Sequence, residues 1–413
     1  MSEWTKYQTK ELVNSKVLSI GDGYRAKNSE LSSSGIPFAR AGNIDGGFSF
    51  SNADFFPVED LGKVGEKISQ PGDVVFTSKG TVGRFAYVKA TTQQFVYSPQ
   101  LCYWRSLDEN KIASKYLFYW MQAKEFFEQV EGMKGQTDMA DYVSLSDQRQ
   151  MQISLPEIDE QRQIAEVLSS LDDKIDLLHR QNKTLEQLAE TLFVEALKNN
   201  VDKWKLQSFS ELIETTLGGE WGKEHAEADY SKQVCCIRGT DIADLQIGLA
   251  ERTPVRFVKE KKFESIQPQN GDLILEISGG TDDQSTGRTI YIDELNRKLF
   301  PYPLVFSNFC RLIHPKAKEY SYFLYLYIQY LYKQDEFFNL ENGSSGIKNI
   351  DYKYLLFELE YLLPKDKKEI HSFNKKVELY FEKINKNKHQ IRTLTQLRDT
   401  LLPKFMSGEV CVT

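Results

Sequence analysis

Pro71-Gly72-Asp73-Val74-Val75-Phe76 returns 199 residues later as Asn270-Gly271-Asp272-Leu273-Ile274-Leu275. Each run then enters a polar loop that ends in Gly-Arg, at Gly83-Arg84 and at Gly287-Arg288. Outward from this pair, Ile36 to Ile44 answers to Val234 to Ile242, with Arg40 over Arg238. Trp4 answers to Trp204, Ser98 to Ser307, Gly135 to Gly343 and Pro156 to Pro364. The offset stays between 198 and 209 and the order never changes, so the chain is an internal duplication.

Within each copy the pattern passes from strand to helix. Val74 to Phe76, Phe85 to Val88 and Leu101 to Trp104 are short β-branched or aromatic runs bounded by Gly, Pro and Ser. The second copy offers Leu273 to Ile277, Thr289 to Ile292 and Val305 to Ile313, and helices are expected near Lys115 to Gln129 and Tyr322 to Lys333. The expected class is α+β, with duplicated heads at residues 1–155 and 204–363.

The remaining segments, 156–203 and 364–413, read as long helices. Ile164, Leu168, Leu171, Ile175, Leu178, Leu185 and Leu192 follow a heptad seam, and so do Ile370, Val377, Ile384, Ile391, Leu394 and Leu401. One polar residue sits on each seam, Asn182 and Asn387, suited to fixing register. Residues 157–203 hold 6 basic and 11 acidic side chains, whereas 364–413 hold 11 and 6. Opposite charge favours pairing of the two helices, against the alternative of two separate amphipathic helices. The architecture expected is an antiparallel coiled-coil stalk between two heads, with pseudo-twofold symmetry. A helix of roughly 38 residues spans about 57 Å at about 1.5 Å per residue.

With 413 residues, 40% of them apolar and 27% charged, the chain has material for more than one core. Its net charge of −7 argues at first against a polyanionic partner. The start, Met1 to Lys6, has no apolar stretch of a secretory signal, and the aromatic run Tyr320 to Tyr332 is too short to span a bilayer. No membrane association and a cytoplasmic location are expected. Cys102, Cys235, Cys236, Cys310 and Cys411 show neither zinc-ligand spacing nor an even count, which suits reduced thiols and no metal site.

Catalytic signatures are missing. There is no phosphate-cradling G-x-x-x-x-G-K-[ST], no G-x-G-x-x-G, no Asn-Pro-Pro-aromatic and no H-E-x-x-H. The five histidines are scattered, with His179 and His389 expected on exposed helical faces. Glu260-Lys261-Lys262 has a nuclease-like triplet but no well-placed upstream Asp. The polar loops are stronger candidates. Ser78, Lys79, Thr81 and Arg84 in one copy, and Ser278, Thr281, Gln284, Thr286 and Arg288 in the other, combine short donors, cations and glycine backbone. Arg reads guanine, Gln and Asn read adenine, Asp accepts from cytosine, and Ser or Thr bind phosphate. Arg40, Asn43, Arg238, Thr240 and Asp241 form a second equivalent pair of segments, in which the arginines would equally serve as structural ion-pair partners. Gln136, Thr137, Ser344, Ser345 and Lys348 form a third. The aromatic clusters at Tyr116 to Trp120 and Tyr322 to Tyr332 are assigned to packing rather than to base stacking.

Leu155-Pro156-Glu157-Ile158-Asp159-Glu160-Gln161-Arg162-Gln163-Ile164-Ala165 and Leu397-Arg398-Asp399-Thr400-Leu401-Leu402-Pro403-Lys404-Phe405-Met406-Ser407-Gly408-Glu409-Val410 carry a family likeness. With the duplication, they make the chain resemble the specificity subunit of type I restriction-modification systems over essentially its full length. Leu363-Pro364-Lys365-Asp366-Lys367-Lys368-Glu369-Ile370 departs by lacking the Glu-Gln pair. The resemblance implies a non-catalytic chain whose two target recognition domains each read half of a bipartite double-stranded DNA site. It also implies that the helices set the gap and dock two methyltransferase subunits. S-adenosylmethionine would then sit on those subunits, with ATP and Mg on accompanying restriction and translocase subunits. The helix length caps the gap at roughly 17 base pairs, at about 3.4 Å each. A coiled-coil scaffold joining two protein-binding heads is the alternative reading. Residues 1–155 carry 17 basic and 18 acidic side chains and residues 204–363 carry 18 and 24, so any positive surface must be local to the loops.

Overall fold

A computed structural model describes residues 4–80, 82–133, 142–281, 283–342 and 348–412. In each half a Gly-Asp turn launches the central strand. Gly72 and Gly271 take φ of 93° and 102°, a region that disfavours a side chain. The aspartate that follows folds back to accept a main-chain N–H, Gln70 N to Asp73 Oδ2 at 2.8 Å and Gln269 N to Asp272 Oδ2 at 2.6 Å. Val74–Thr77 and Leu273–Glu276 are then buried along their whole length.

The duplication holds strand for strand. One antiparallel sheet has the order Leu18–Asp22, Leu101–Ser106, Val74–Thr77, Phe85–Tyr87, and its counterpart has Ile213–Gly218, Cys310–Pro315, Leu273–Glu276, Thr289–Tyr291. Val74 opposes Trp104, and Leu273 opposes Ile313. A second sheet places Ile36–Ala39 between antiparallel Asp54–Phe56 and parallel Val96–Tyr97. Its counterpart places Tyr230–Ile237 between Val255–Lys259 and Leu304–Phe306 in the same senses. Two runs differ from expectation. Val305 to Ile313 is two strands on different sheets, broken at Ser307–Phe309, and Lys115 to Gln129 is two helices, Ser114–Trp120 and Lys124–Met133. An apolar run crossing between sheets looks continuous in sequence although its partners change.

The chain divides into two compact units, Met1–Asp173 with Thr395–Thr413, and Lys174–Leu394. The division runs through both long helices, Ile158–Asn199 and Lys367–Met406, rather than at their ends. The reason is visible in where the heptad residues go. Ile164 and Leu168 are buried in the first unit's core with Trp104, Trp120, Phe126, Phe405 and Met406, and Leu401 lies at its margin. Ile370, Val377 and Ile384 belong to the second unit's core with Phe193, Phe323 and Tyr327, and Leu185 and Leu192 lie at its margin. Only Ile175, Leu178, Ile391 and Leu394 form a cluster of helix on helix, and Leu171 is half-buried outside all of these. The two long helices therefore pair as expected, and toward their ends the seam positions also pack into the cores of the heads.

Helix pairing is antiparallel. In the second unit Asn387 Nδ2 donates to Asn182 Oδ1 at 2.8 Å, and Phe193 meets Phe373 at 6.1 Å between ring centroids. In the first, Arg398 bonds Asp172 at 2.9 Å. His179 is exposed as expected, but His389 is not. It is half-buried with Nε2 on the Leu295 carbonyl. The aromatic clusters pack inward, with Tyr116, Trp120, Tyr322 and Phe323 all buried. All five cysteines are free.

The first turn of the first long helix carries a buried Gln161. It accepts from Ala113 N at 3.0 Å and donates to the carbonyls of Lys111 (3.0 Å) and Pro156 (2.9 Å). At the corresponding place before Ile370 stands Lys367. Its buried Nζ has no hydrogen-bond partner among the described residues, with Glu211 at 3.9 Å. Burial pulls its amine below the ordinary lysine value of 10.5.

N387L leaves the buried Asn182 amide without its partner and costs about 1–3 kcal/mol in urea unfolding, whereas N182L/N387L restores or exceeds the wild-type midpoint. For Lys367, the unfolded chain holds the proton more tightly than the folded one. The destabilisation is therefore full below the folded pKa and fades as pH rises toward 10.5. K367Q raises Tm by about 2 °C at pH 7, and the gain shrinks when the scan is repeated at pH 10.

Candidate nucleic-acid interface

In the first unit, the strand Val74–Thr77 ends where Thr77 and Arg84 close a loop. Thr77 N donates to Arg84 O at 3.0 Å, and Arg84 N to Thr77 Oγ1 at 3.1 Å. Gly80 and Gly83 turn the loop at φ of 85° and 100°, with open space around Gly80. Lys79 is exposed and bridges to Tyr142, while Val143 N donates to Ser78 O at 3.0 Å. Arg84 reaches Asp45 at 2.9 Å, with side chains 37% and 63% exposed. Arg40 pairs with Asp54 at 2.6 Å in a similarly open setting. Ion pairs this exposed contribute about 0–1 kcal/mol, so both arginines can leave their carboxylates for a phosphate or base edge at little cost.

The same positions in the second unit are locked. Glu276 takes the place of Thr77, and its carboxylate is buried. It accepts from Arg288 Nε at 2.9 Å and Nη2 at 2.5 Å, and from the main-chain N–H groups of Gly287 and Arg288 at 3.4 Å. A Cβ at Gly239 or Gly279 would lie 2.3 or 2.5 Å from that carboxylate, so the glycines let two loops close over it. Arg238 is held by buried Asp241 at 2.6 Å and by the Arg252 carbonyl at 3.0 Å. Lys348 donates to Thr281 O at 2.9 Å and lies 3.4 Å from Glu341. Pairing raises the guanidinium pKa of Arg238 and of Arg288, the hydrogen bond to the carboxylate being the main cause for each. Besides these, the loops expose Thr240, Thr281 and Gln284, together with the acidic Asp283.

The candidate residues thus separate by role. Lys79, Arg84 and Arg40 are open to a ligand in the first unit. Asn43 is a turn former, accepting from Arg40 N at 2.8 Å and donating to Ser49 O at 2.9 Å, as Asp241 accepts from Arg238 N at 2.9 Å. Ser78 and Thr286 are buried and are corrected to scaffold: Cys102 Sγ contacts Ser78 Oγ at 3.1 Å, and Thr286 N donates to Glu341 at 2.5 Å. Arg238, Arg288 and Lys348 are likewise tied to carboxylates, and Ser278 is half-buried in a strand pairing with Asn349. Thr81, Gln136, Thr137, Ser344 and Ser345 lie outside the described residues. Two residues escaped sequence reasoning, Tyr142 and Arg25. Both are exposed, and Arg25 acts on the Tyr142 hydroxyl, opposing the upward push of its partial burial. Two residues before Arg25, Gly23 lets the chain pass close to Ser98, where a Cβ would lie 1.9 Å from the Ser98 carbonyl oxygen.

Among the described residues no group of three His, Cys, Asp or Glu is placed to hold a metal ion, and no helix is long and apolar enough to cross a membrane. Glu260 lies on the helix Glu260–Ile266, paired with Lys232 at 3.0 Å.

The duplicated heads correspond to two copies of one family domain. Residues 1–187 and 203–393 both match the type I restriction modification DNA specificity domain, and the chain belongs to that family. It is 25% identical to the type I restriction enzyme MjaIX specificity subunit of Methanocaldococcus jannaschii, over 84% of this chain and 79% of that one. It is 22% identical to the HindI specificity subunit of Haemophilus influenzae, over 99% and 100%. The crystal structure of the type I S subunit from M. genitalium shares the fold at a TM-score of 0.59 and 16% identity, covering 98% of this chain and 96% of that one.

Arg84 and Arg288 should respond oppositely to mutation. R288A strands a buried carboxylate and costs about 3–5 kcal/mol in denaturant unfolding. R84A changes stability by less than about 1 kcal/mol. In salt-titrated DNA binding by the assembled complex, R84A lowers the slope of log K on log salt by about 1.

Proposed function

We propose that this chain is the non-catalytic DNA sequence-recognition subunit of a type I restriction-modification complex. Each head reads one half of a bipartite target, and the paired helices set the gap and dock two methyltransferase subunits. S-adenosylmethionine belongs to those subunits, and ATP and Mg to any restriction and translocase subunits that join them in the cytoplasm. The observation that carries this reading is the kind of divergence between the copies. Strand order and register are kept, while the loops at equivalent strand ends differ in charge, glycine placement and exposed donors. A duplicated scaffold with unlike loops suits two readers of two sequences.

The charge distribution adds a constraint. With the candidate cations Arg238, Arg288 and Lys348 of the second head held by carboxylates, binding by the lone chain should be weak, and the methyltransferase subunits would supply much of the phosphate contact. Co-expression with the adjacent methyltransferase, followed by mapping of methylated adenines, should give a single bipartite motif. Replacing residues 1–155 with those of a homologue should change one half of it only. A replacement that changes both halves, or tight unassisted binding, would overturn the assignment.

A further inference from the structure

The turn Ser307–Phe309 is the point at which the second unit's chain passes from one sheet to the other. Its main chain is fixed on both sides. Ser307 N donates to Ile237 O at 2.9 Å, directly before the Arg238 turn. Cys310 N donates to Ser307 O at 3.0 Å, and Phe309 O accepts from Ile277 N at 2.9 Å and Ser278 N at 3.3 Å. The Phe309 ring nevertheless stands 50% exposed between two candidate reading loops, while Phe306, three residues earlier, is fully buried.

The first unit makes the same turn with the same bonds. Ser98 N donates to Ala39 O at 3.0 Å, Leu101 N to Ser98 O at 2.9 Å, and Ser78 N to Gln100 O at 3.1 Å. Gln100 therefore occupies the place of Phe309, also exposed. One backbone presents a hydrogen-bonding side chain in one head and an apolar ring in the other. An isolated exposed aromatic on a mobile loop would carry no meaning. Here the main chain that carries the ring is hydrogen-bonded on both sides, at a position where its counterpart is an amide.

We propose that Phe309 is a specificity residue of the second head, making apolar contact with the C5-methyl of a thymine in the major groove. This rests on the DNA-reading function proposed above. Thymine is the base that offers an apolar group there. Insertion between base steps is disfavoured, because kinking is offset by additional backbone contacts, and the candidate cations Arg238, Arg288 and Lys348 of this head are engaged by carboxylates.

The test uses the complete methyltransferase complex with wild-type chain, F309A and F309Q. Methylated adenines are mapped first, then binding is measured on target duplexes with each thymine of the second half-site replaced in turn by deoxyuridine, which lacks the methyl. The wild type should lose about fourfold in affinity at one position, the worth of one buried methyl. F309A should be indifferent to that replacement and should methylate sites relaxed at that position, with the other half-site unchanged. F309Q should show the same indifference while keeping the wild-type Tm. A wild type indifferent to deoxyuridine at every position overturns the proposal, and so does an F309A complex with the wild-type motif and sensitivity. Absence of any bipartite motif for the wild type overturns the functional reading itself, which separates the two failures.

Discussion

The buried carboxylate of the Gly-Asp turn is the constraint around which each head is assembled. In the first unit Asp73 is fully buried and takes a forked pair from Arg105, Nε at 2.6 Å and Nη2 at 2.9 Å, together with the Tyr97 hydroxyl at 2.6 Å and Gln70 N. Those donors come from both sheets, so one side chain ties the two together. A carboxylate out of water is tolerable only when its oxygens are fully engaged. The second unit meets the same demand with His314 Nδ1 at 2.5 Å and Gln269 N, and burial there pushes the Asp272 carboxyl up. Tyr97 has become Phe306, so the second head lacks the hydroxyl that bridges the sheets. The position is held while its partners change.

The same logic decides, at the strand's other end, which arginine stays at the surface. Thr77 leaves Arg84 at the surface, and Glu276 draws Arg288 into the interior. A single change at that position turns a solvent-facing cation into a clamp for two loops. Acidic composition in the second head is therefore partly internal: Glu276, Asp241 and Glu341 are spent holding loop geometry. Net charge counted along a sequence cannot distinguish a carboxylate that repels phosphate from one that organises a loop.

The duplication, the central strands after each Gly-Asp turn and the pairing of the helices were legible, because they rest on repeat order and on periodicity. The Asn182–Asn387 bond was readable for the same reason, a polar residue on an apolar seam. What escaped was whatever depends on a third element. Ser78 and Thr286 are polar and loop-flanked, yet neighbouring strands bury them. Arg288 resembles Arg84 until the identity of the residue twelve positions earlier is weighed. His389 looked solvent-facing because nothing in a heptad pattern announces the Leu295 carbonyl beside it.

The helices show how far a periodic signal can mislead about purpose. A seam sustained from Ile164 to Leu192 describes one continuous apolar face, but that face meets different partners along its length. Leu168 is the last seam residue held in the first core, and Leu185 is the first at the margin of the second. On the other helix the limits are Ile384 and Leu401. Only the stretches between them can change length without disturbing a head. They are tied to each other by Ile175, Leu178, Ile391, Leu394 and the asparagine pair. A change in one helix alone would place Asn182 or Asn387 against an apolar partner and would rotate the seam. Length changes in this stretch therefore have to be matched between the two helices, in whole heptads.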